Sequence, residues 1–469
     1  MNKRAKKTKV IATLGPASST KEIMLELVKA GADVFRINFS HADYELVKRN
    51  VDIIREINQE YGYNISILGD LQGPKLRVGV VKEGSFLNPG DVLTFTNEPC
   101  EGDSTKVFMT YEKFPQDVKV GERILIDDGK LVFEVIETNQ KDTVKAKTIQ
   151  GGPLSSKKGV NLPNTNVSLP ALTEKDIEDA KFMIENEFDW IALSFVRHAQ
   201  DIIDLKKLIE AHSDFKIPII AKIEKPEGVK NIDEILLECD GLMVARGDLG
   251  VEVPMEEVPV IQKKLVDKAR YYSKPVIIAT QMMETMISSL TPTRAEVNDV
   301  ANNVLDGADA VMLSGETSVG KYPVDVVKNI TKIIKNIEST NLYEKKNDII
   351  EKITCVDDRF VTDMICLNAV KIAETTGAAA IITLTHSGYT AFQISAHRPT
   401  SRIIVYSSNR RVLTMLNLLW GVRAFYYDMN KSTDETVIQV NMLTHHYGYV
   451  EKGDFVVNLN AMPVYEGGK

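Results

Sequence analysis

Charged side chains close several short apolar runs of this sequence, and their types suit the transfer of a phosphoryl group. In the run IIAKIE, Lys222 and Glu224 lie two residues apart and therefore share a face if the run is a β-strand. Burying the Lys222 ammonium among isoleucines is costly unless an anion meets it. The next run ends in Asp248, and a glutamate and an aspartate opposed to one lysine suit a hard divalent cation such as Mg²⁺ or Mn²⁺.

Other runs also end in polar residues, namely Arg36, Asn38, Ser40, Asp70 and Thr280. Arg36 would add positive charge near a phosphoryl group, because phosphoryl transfer relies on positioning and charge stabilisation. Gly247, which lacks a side chain, lets backbone N–H groups approach a carboxylate, and Thr280 offers a hydroxyl that would position a proton-delivering water. Taken singly, Ser40, Asp70 and Thr280 are equally consistent with helix caps or solvated loop residues.

Eight apolar runs, separated by helical patterns, are available to position these residues. They read, in order, KVIATL, VFRINF, ISILGDL, WIALSFV, PIIAKIE, GLMVARGD, VIIATQM and AVMLSGE. Runs of this kind, bounded by turn residues and alternating with helices, are typical of parallel strands buried on both faces. The spacing of Ser19 and Glu22 predicts a capping box at the start of the first helix.

Two segments lie outside this alternation. Residues 74–171 are rich in Gly, Pro, Val and Thr, and their short alternating stretches predict an antiparallel β domain inserted after the third strand. The parallel unit, residues 1–73 and 172–342, is close in length to the roughly 250 residues of a closed (β/α)₈ barrel, which we prefer to an open sheet. A charged stretch then precedes a predicted C-terminal α/β domain, residues 343–469.

In a (β/α)₈ barrel the catalytic groups lie at the carboxyl ends of the strands, so the polar residues described above would meet at one rim. We find no internal repeat beyond the alternation of strands and helices. The pattern alone therefore predicts a metal-dependent barrel enzyme that acts on a small anionic, phosphorylated substrate.

The composition is that expected of a cytoplasmic enzyme. The 469 residues include 57 Lys and Arg against 65 Asp and Glu, a formal charge of −8, so the chain as a whole should repel nucleic acid and anionic membranes. Its four cysteines form no CxxC pair, which fits a reducing compartment. The apolar stretch after the basic start is shorter than the ~7 to 15 residues of a signal-peptide core. No apolar run approaches the ~20 residues that span a bilayer.

Longer motifs resemble the pyruvate kinase family, in that family's order, over nearly the whole chain. IIAKIEKPEG is similar to the family's active-site signature, and it is accompanied by ATLGPAS, RINFSH, GDLQGPKLR, KKGVNLP, MVARGDLGVE, ATQMMETM and PTRAEVNDVANNVLDGADAVMLSGETSVGKYP. The resemblance implies transfer of a phosphoryl group from phosphoenolpyruvate to ADP, giving pyruvate and ATP in the last step of glycolysis. It also implies that the insert is a small β-barrel lid that closes over the catalytic barrel and excludes water.

The resemblance further implies roles for individual residues. The family's Mg²⁺ ligands match Glu224 and Asp248. The implied catalytic residues are Lys222, which stabilises the transferring phosphoryl group, Thr280, which is tied to protonation of the enolate, and Arg36. The implied substrate contacts are Arg36, Lys222, Gly247, Asp248 and Thr280. The implied nucleotide and phosphate contacts are Asn38, His41, Arg77 and Lys158.

One segment departs from the branch of the family that requires a monovalent cation. In that branch, Asn, Ser, Asp and a Thr after the Asp hold K⁺, next to a Glu in the GDxxGPxxR segment. Here Asn38, Ser40 and Asp70 are kept, Leu71 follows the aspartate, and Lys75 takes the place of the Glu. The segment resembles the K⁺-independent branch and implies that K⁺ is not required, since a tethered ammonium supplies the charge that K⁺ otherwise contributes.

A turn in the C-terminal domain resembles the family's effector-phosphate loop. Its candidate phosphate contacts are Thr385, Ser387, Gly388 and Thr390. The phosphate of a sugar-phosphate or nucleotide effector would bind there through backbone N–H groups. The alternative is an ordinary glycine-containing turn between a strand and a helix. A homotetramer is a further implication of the resemblance.

Two other functions remain open at this level. A barrel lyase or aldolase that forms a pyruvate enolate on Mg²⁺ would use the same lysine and acids, but it explains neither the lid nor the additional basic residues. A non-catalytic sensor of phosphorylated metabolites has no chemical need for the complete catalytic set. ADP-dependent formation of ATP from phosphoenolpyruvate would separate these hypotheses.

Overall fold

The computed structural model describes residues 6–340, 359–428 and 432–460. Its strands in chain order are β1 (Lys9–Thr13), β2 (Val34–Asn38), β3 (Ser66–Asp70), β4 (Phe86–Leu87), β5 (Val92–Thr96), β6 (Lys106–Phe108), β7 (Arg123–Ile126), β8 (Leu131–Thr138), β9 (Thr143–Gln150), β10 (Gly152–Pro153), β11 (Val160–Asn161), β12 (Trp190–Leu193), β13 (Ile219–Ile223), β14 (Gly241–Ala245), β15 (Val276–Ala279), β16 (Ala310–Leu313), β17 (Ala380–Leu384), β18 (Arg402–Ser407), β19 (Val422–Tyr426) and β20 (Val456–Leu459).

The helices of the same ranges are α1 (Lys21–Ala30), α2 (Tyr44–Tyr61), α3 (Phe114–Asp117), α4 (Glu174–Glu185), α5 (Ala199–His212), α6 (Pro226–Lys230), α7 (Ile232–Glu238), α8 (Arg246–Glu252), α9 (Val258–Tyr271), α10 (Arg294–Asp306), α11 (Gly315–Ser318), α12 (Pro323–Glu338), α13 (Phe360–Thr376), α14 (Tyr389–Ala396), α15 (Arg410–Leu416) and α16 (Thr433–His446). Short 3₁₀ helices occupy Phe39–His41, Met255–Glu257 and Glu284–Ile287. Among these helices, none combines the length and the apolar character needed to cross a bilayer.

Eight strands close into a parallel barrel, in the order β1-β16-β15-β14-β13-β12-β3-β2. They are the eight apolar runs of the sequence, and most of their residues are buried, which explains why apolar residues predominate in these runs. The predicted (β/α)₈ fold is therefore confirmed. The first helix begins one residue later than predicted, because the hydroxyl of Thr20 caps it by accepting the Ile23 N–H at 3.4 Å, while the Ser19 hydroxyl donates to the Gly15 carbonyl at 2.8 Å.

The insert between β3 and β12 is a separate β domain. Its main sheet has six strands in the order β11-β7-β8-β9-β5-β6, with β4 and β10 forming a small antiparallel pair. The sheet curls around its own core, which includes Val78, Phe95 and Phe133. One pairing differs from the predicted antiparallel pattern: β6 runs parallel to β5, since residues 97–105 carry the chain back before it pairs.

The C-terminal domain has a parallel four-stranded sheet in the order β19-β18-β17-β20, with helices packed against it. This confirms the predicted α/β architecture. The predicted boundary between residues 342 and 343 lies outside the described residues.

Four aspartates lie at the amino-terminal face of the barrel, each directly before every second strand. Their carboxylates bind backbone N–H groups near the starts of the neighbouring strands. They are Asp33, Asp189, Asp240 and Asp309, and their carboxylates accept N–H bonds of 2.7 to 3.0 Å from, in the same order, Val10, Ile67, Ile219 and Val276. Each carboxylate thus satisfies a backbone donor near the point where a strand begins, which a buried N–H group requires.

The C-terminal domain binds three of these four aspartates. Arg398 forms a bidentate pair with Asp309 at 2.9 and 2.7 Å, and both side chains are almost completely buried. The Thr414 hydroxyl donates to Asp189, and the Asn417 amide donates to the Asp33 carbonyl at 2.8 Å. The C-terminal domain therefore covers the face of the barrel opposite the rim where the strands end.

Candidate active site

A buried lysine lies at the centre of the polar cluster on the carboxyl-terminal rim of the barrel. The Lys222 ammonium is 3.0 Å from Asp70 Oδ1, 3.1 Å from Glu224 Oε1 and 2.6 Å from the Ser194 hydroxyl oxygen. Arg36 binds the other oxygen of Asp70, with Nε at 2.7 Å and Nη2 at 2.6 Å. Strands β2, β3 and β13 therefore bring together two cations and two carboxylates that are distant in sequence.

The charges of this cluster act strongly on one another. Burial alone would lower the pKa of Lys222, but Asp70 and Glu224 outweigh it, so the pKa is raised and the ammonium stays charged. Burial likewise opposes the charge of Asp70, yet Lys222 and Arg36 lower its pKa. The pKa of Glu224 is raised by burial, with a further contribution from Asp248, despite the attraction of Lys222. A cation bound near Glu224 and Asp248 would reduce the free-energy cost of keeping both carboxylates charged.

The donor set at Glu224 and Asp248 fits a hard divalent cation. Glu224 follows β13 directly, whereas Asp248 lies in the first turn of α8, which begins immediately after Ala245. The predicted strand ran on to Asp248 and was too long, because Arg246 turns away to bind Asp299 at 2.7 Å. The described residues include no group of three or more His, Cys, Asp or Glu side chains suited to a metal. Mg²⁺ commonly binds to one or two carboxylates and takes its other oxygens from water and substrate.

Thr280 sits in a strained turn directly after β15. Its φ of +69° is unusual for a β-branched residue and costs about 1 to 3 kcal/mol. Its hydroxyl accepts the Gly247 N–H at 2.7 Å and donates to the Ala279 carbonyl at 2.6 Å, while Arg246 holds the Thr280 carbonyl at 2.8 Å. A Cβ at position 247 would approach the Thr280 hydroxyl to 3.3 Å, so glycine permits this close contact.

The predicted nucleotide contacts on the barrel follow β2. Asn38 is exposed, and its side chain accepts the Ser40 N–H at 3.1 Å, which caps the 3₁₀ helix Phe39–His41. The side chain of His41 lies outside the described residues. Asn38 and Ser40 therefore lie next to the end of the strand that carries Arg36.

The other two predicted nucleotide contacts lie on the insert. Arg77 donates to the Lys157 carbonyl at 3.1 Å, and the backbones of Arg77 and Gly159 pair as an isolated bridge. The Lys158 ammonium is 3.0 Å from Asp127 and is partly exposed. Both residues thus lie on neighbouring backbone segments of the insert.

The segment predicted to replace the K⁺ pocket joins β3 to the insert. Leu71 is buried, whereas Lys75 is exposed. Within the described ranges, no hydrogen bond or ion pair joins the Lys75 ammonium to Asn38, Ser40 or Asp70. The two oxygens of Asp70 face Arg36 and Lys222 instead.

A cleft lies between the insert and the barrel, and residues of both line it. Asp248 and Arg197 line it from the barrel, while Lys75 and Asp128 line it from the insert. Across the cleft, the Asn161 amide donates to Glu252 Oε1 at 2.9 Å, and Lys225 binds the same oxygen at 3.1 Å. The insert therefore contacts the barrel directly beside Asp248.

The predicted effector loop is a compact turn between β17 and α14. The Gly388 N–H donates to the Thr385 hydroxyl at 2.9 Å, and the hydroxyls of Thr390 and Thr383 lie 3.1 Å apart. Ser387 is exposed and lies 3.5 Å from the Tyr389 N–H. These contacts suit both an ordinary turn and a phosphate loop.

Two features of the site were not predicted from the sequence. Ser194 and the Phe195 N–H bind Lys222 and Glu224 directly, the latter at 2.7 Å. Ser194 is the first polar residue after β12 and therefore satisfies the same rule that selects Thr280. Asp70 was predicted only as a cation ligand, because the sequence does not show which lysine a buried aspartate meets.

Comparisons with known proteins agree with this architecture. Residues 5–327 match the model of the family described as "Pyruvate kinase, barrel domain", and residues 363–469 match "Pyruvate kinase, alpha/beta domain". The chain is 43% identical to pyruvate kinase 2 of Synechocystis sp., covering 96% of this chain and 76% of the relative. It is 41% identical to the pyruvate kinase of Mycobacterium intracellulare, covering 98% and 96%.

A solved structure shows the same likeness in three dimensions. The crystal structure of a pyruvate kinase from Cryptosporidium parvum superposes with a TM-score of 0.92 at 34% identity, covering 98% of this chain and 95% of that one. Barrel, insert and C-terminal domain are thus shared along almost the full length. The chain belongs to the pyruvate kinase family and is a phosphotransferase.

Proposed function

We propose that this chain transfers the phosphoryl group of phosphoenolpyruvate to ADP at the rim cluster around Lys222. The observation that carries the proposal is a buried, charged lysine beside Asp70 and Glu224, on the rim that faces the insert. In the reaction, the bond between phosphorus and the enol oxygen breaks, and a bond forms from phosphorus to a β-phosphate oxygen of ADP. The enolate then takes a proton at its terminal carbon and becomes pyruvate.

Each residue of the cluster has a part in this reaction. Lys222 and Arg36 neutralise the charge that develops on the phosphoryl oxygens. Glu224 and Asp248 would hold Mg²⁺ or Mn²⁺, which, when bound, neutralises phosphoryl and enolate charge. Thr280, held by Gly247, positions the proton donor for the enolate carbon.

The remaining assignments concern ligands and assembly. We propose that Asn38, His41, Arg77 and Lys158 bind the phosphates of ADP. The turn that contains Thr385, Ser387, Gly388 and Thr390 is the proposed site of a sugar-phosphate or nucleotide effector. Residues 1–73 and 172–342 form the proposed catalytic domain, with residues 74–171 as the lid and 343–469 as the regulatory domain of a cytoplasmic homotetramer.

The reaction is tested by an assay of pyruvate formation from phosphoenolpyruvate. We expect pyruvate and ATP to form in equal amounts, and only when ADP and Mg²⁺ are both present. Pyruvate formation that is independent of ADP would contradict a kinase and favour the barrel lyase.

We expect the enzyme to work without added K⁺. The rate in potassium-free buffer should lie within about twofold of the rate with K⁺, because the Lys75 ammonium, which lines the same cleft as Asp248, is proposed to supply the charge that the cation otherwise contributes. Lys75→Glu is the matched variant and should become dependent on K⁺. A wild-type rate that falls to a trace without K⁺ would contradict the proposal.

The hydroxyl of Thr280 should matter more than its methyl group. We expect Thr280→Ala to lower kcat about 100-fold, as is typical of the loss of a group that serves proton transfer. Thr280→Ser keeps the hydroxyl that accepts the Gly247 N–H, and its kcat should stay within about threefold of wild type. Equal losses in both variants, measured at saturating phosphoenolpyruvate, would show that the hydroxyl has no such part.

A further inference from the structure

The turn Ser194–Arg197, which follows β12, contacts the catalytic cluster and both chain segments that join the insert to the barrel. The segment that enters the insert is residues 71–74, and the segment that leaves it is residues 167–171. We call Ser194–Arg197 the hinge seat. None of its residues was assigned a part in the reaction above.

The first residue of the hinge seat connects the entry segment to Lys222. The Ser194 hydroxyl donates its proton to the Leu71 carbonyl at 2.7 Å and accepts from the Lys222 ammonium at 2.6 Å. It is almost completely buried, so both bonds are shielded from water. A shift of Leu71 would therefore move the neutral oxygen that holds Lys222.

The second residue of the hinge seat connects the entry segment to Glu224. The Phe195 N–H donates to Glu224 Oε2 at 2.7 Å, from a backbone with φ of +55°. Gly73, with φ of +70°, packs so closely here that a Cβ would lie 2.8 Å from the Phe195 ring. Since a positive φ is costly for phenylalanine, the surrounding contacts must hold this turn in place.

The last residue of the hinge seat holds the exit segment. The two Nη atoms of Arg197 donate to the carbonyls of Val167 and Leu169. On the barrel side, Asp201 accepts the Arg197 N–H at 2.9 Å, and the Asn231 amide donates to the Arg197 carbonyl at 2.9 Å. The planar guanidinium thus spans two carbonyls while its backbone is fixed to the barrel.

We propose that the hinge seat couples the placement of the insert to the placement of Lys222 and Glu224, with Ser194 and Arg197 as positioning residues. One four-residue turn contacts the entry segment, the exit segment, the Lys222 ammonium and the Glu224 carboxylate. Closure of the insert over substrate would therefore position the Lys222 ammonium and the Glu224 carboxylate at the same time. This proposal rests on the proposed function.

The kinetic test uses Ser194→Ala, Arg197→Met and the double variant. Each single change should lower kcat about tenfold, with KM for phosphoenolpyruvate within about twofold, because coupling between sites is typically worth 5- to 150-fold. The double variant should also lose about tenfold, since both changes break the same link. Arg197→Lys, which cannot span both carbonyls, should fall between wild type and Arg197→Met. A loss of about 100-fold in the double variant would mean independent effects and would overturn the coupling.

A matched control removes a similar arginine at the other end of the barrel. Arg55 binds the Glu187 carbonyl at 2.7 Å and Asp189 at 3.1 Å. Arg55→Met should lower the melting temperature and leave kcat within about twofold of wild type. If Arg55→Met lowers kcat as much as Arg197→Met does, the effect reflects general destabilisation and the proposal fails.

Hydrogen–deuterium exchange tests the coupling without any assay of activity. In Arg197→Met without substrates, amide exchange should become faster in residues 71–75 as well as in residues 167–171. Faster exchange confined to residues 167–171 would overturn the proposal. A wild-type enzyme that makes no pyruvate would refute the proposed function, while the exchange pattern would still decide whether the hinge seat couples the two segments.

Discussion

Lys222→Met is expected to lower kcat for pyruvate formation about 10⁴-fold, while KM for ADP and the affinity for Mg²⁺ change by no more than about threefold. The ammonium is buried between Asp70 and Glu224, and methionine nearly preserves the volume of the side chain. Its charge matters most when charge is spread over the transferring phosphoryl oxygens, so its loss should appear in kcat. Steady-state kinetics with each substrate varied in turn would measure this.

Loss of the lysine also leaves two buried acids without their cation, so stability needs a separate control. Lys6→Met removes a buried ion pair with Asp33 at the opposite face of the barrel. Both variants should melt at lower temperature than the wild type, but only Lys222→Met should lose turnover. A variant of Lys222 with unchanged kcat and a raised KM would show that the lysine binds substrate without stabilising the transition state.

Glu224→Gln is expected to weaken Mg²⁺ binding at least about 100-fold, since even the partners of metal ligands contribute 10- to 100-fold to affinity. Activity at a fixed Mg²⁺ concentration should fall about 10³-fold, because a catalytic metal supplies several kcal/mol of charge stabilisation. Glutamine keeps the shape of the side chain and an oxygen that accepts the Phe195 N–H, so the main change is the lost charge. Titration with Mn²⁺, followed by electron paramagnetic resonance, would measure binding directly.

The matched control for this variant is another buried glutamate. Glu338, whose pKa is raised by burial, accepts the N–H groups of Lys7 and Thr8 away from the rim. Glu338→Gln should leave Mn²⁺ binding and kcat unchanged. If Glu224→Gln bound Mn²⁺ with wild-type affinity, Glu224 would not be a metal ligand.

The fold was largely predictable because its signals are local. Most residues of the barrel strands are buried, so each strand appears as a mainly apolar run, and the turn-rich insert interrupts the alternation after Asp70. The end of β14 was misplaced because Arg246 and Asp248 follow the run without a Pro or Asn to end it. The parallel pairing of β6 depends on the path of a loop, which residue patterns do not specify.

The barrel fold predicted which residues reach the rim, but direct contacts between side chains were predictable only from spacing along one strand. Lys222 and Glu224 share a face because they lie two residues apart, and both contribute to the cluster. Asp70 meets Arg36 and Lys222 only through the order of strands around the barrel, which no single segment encodes. Phe195 contributes to the site through its backbone N–H, so its residue type gives no indication of that contribution.

The aspartates at the base of the barrel bear on how a mutational scan of this protein should be interpreted. Substitutions at Asp189 and Asp309, whose carboxylates bind both a strand start and the C-terminal domain, would release the two together, so they should deplete the protein in cells while each surviving molecule turns over normally. Rim substitutions such as Lys222→Met should instead give normal amounts of inert protein. A scan scored by growth alone would not distinguish these two groups of substitutions. Protein abundance must therefore be measured as well, before a sensitive position at the amino-terminal face is interpreted as part of a second active site.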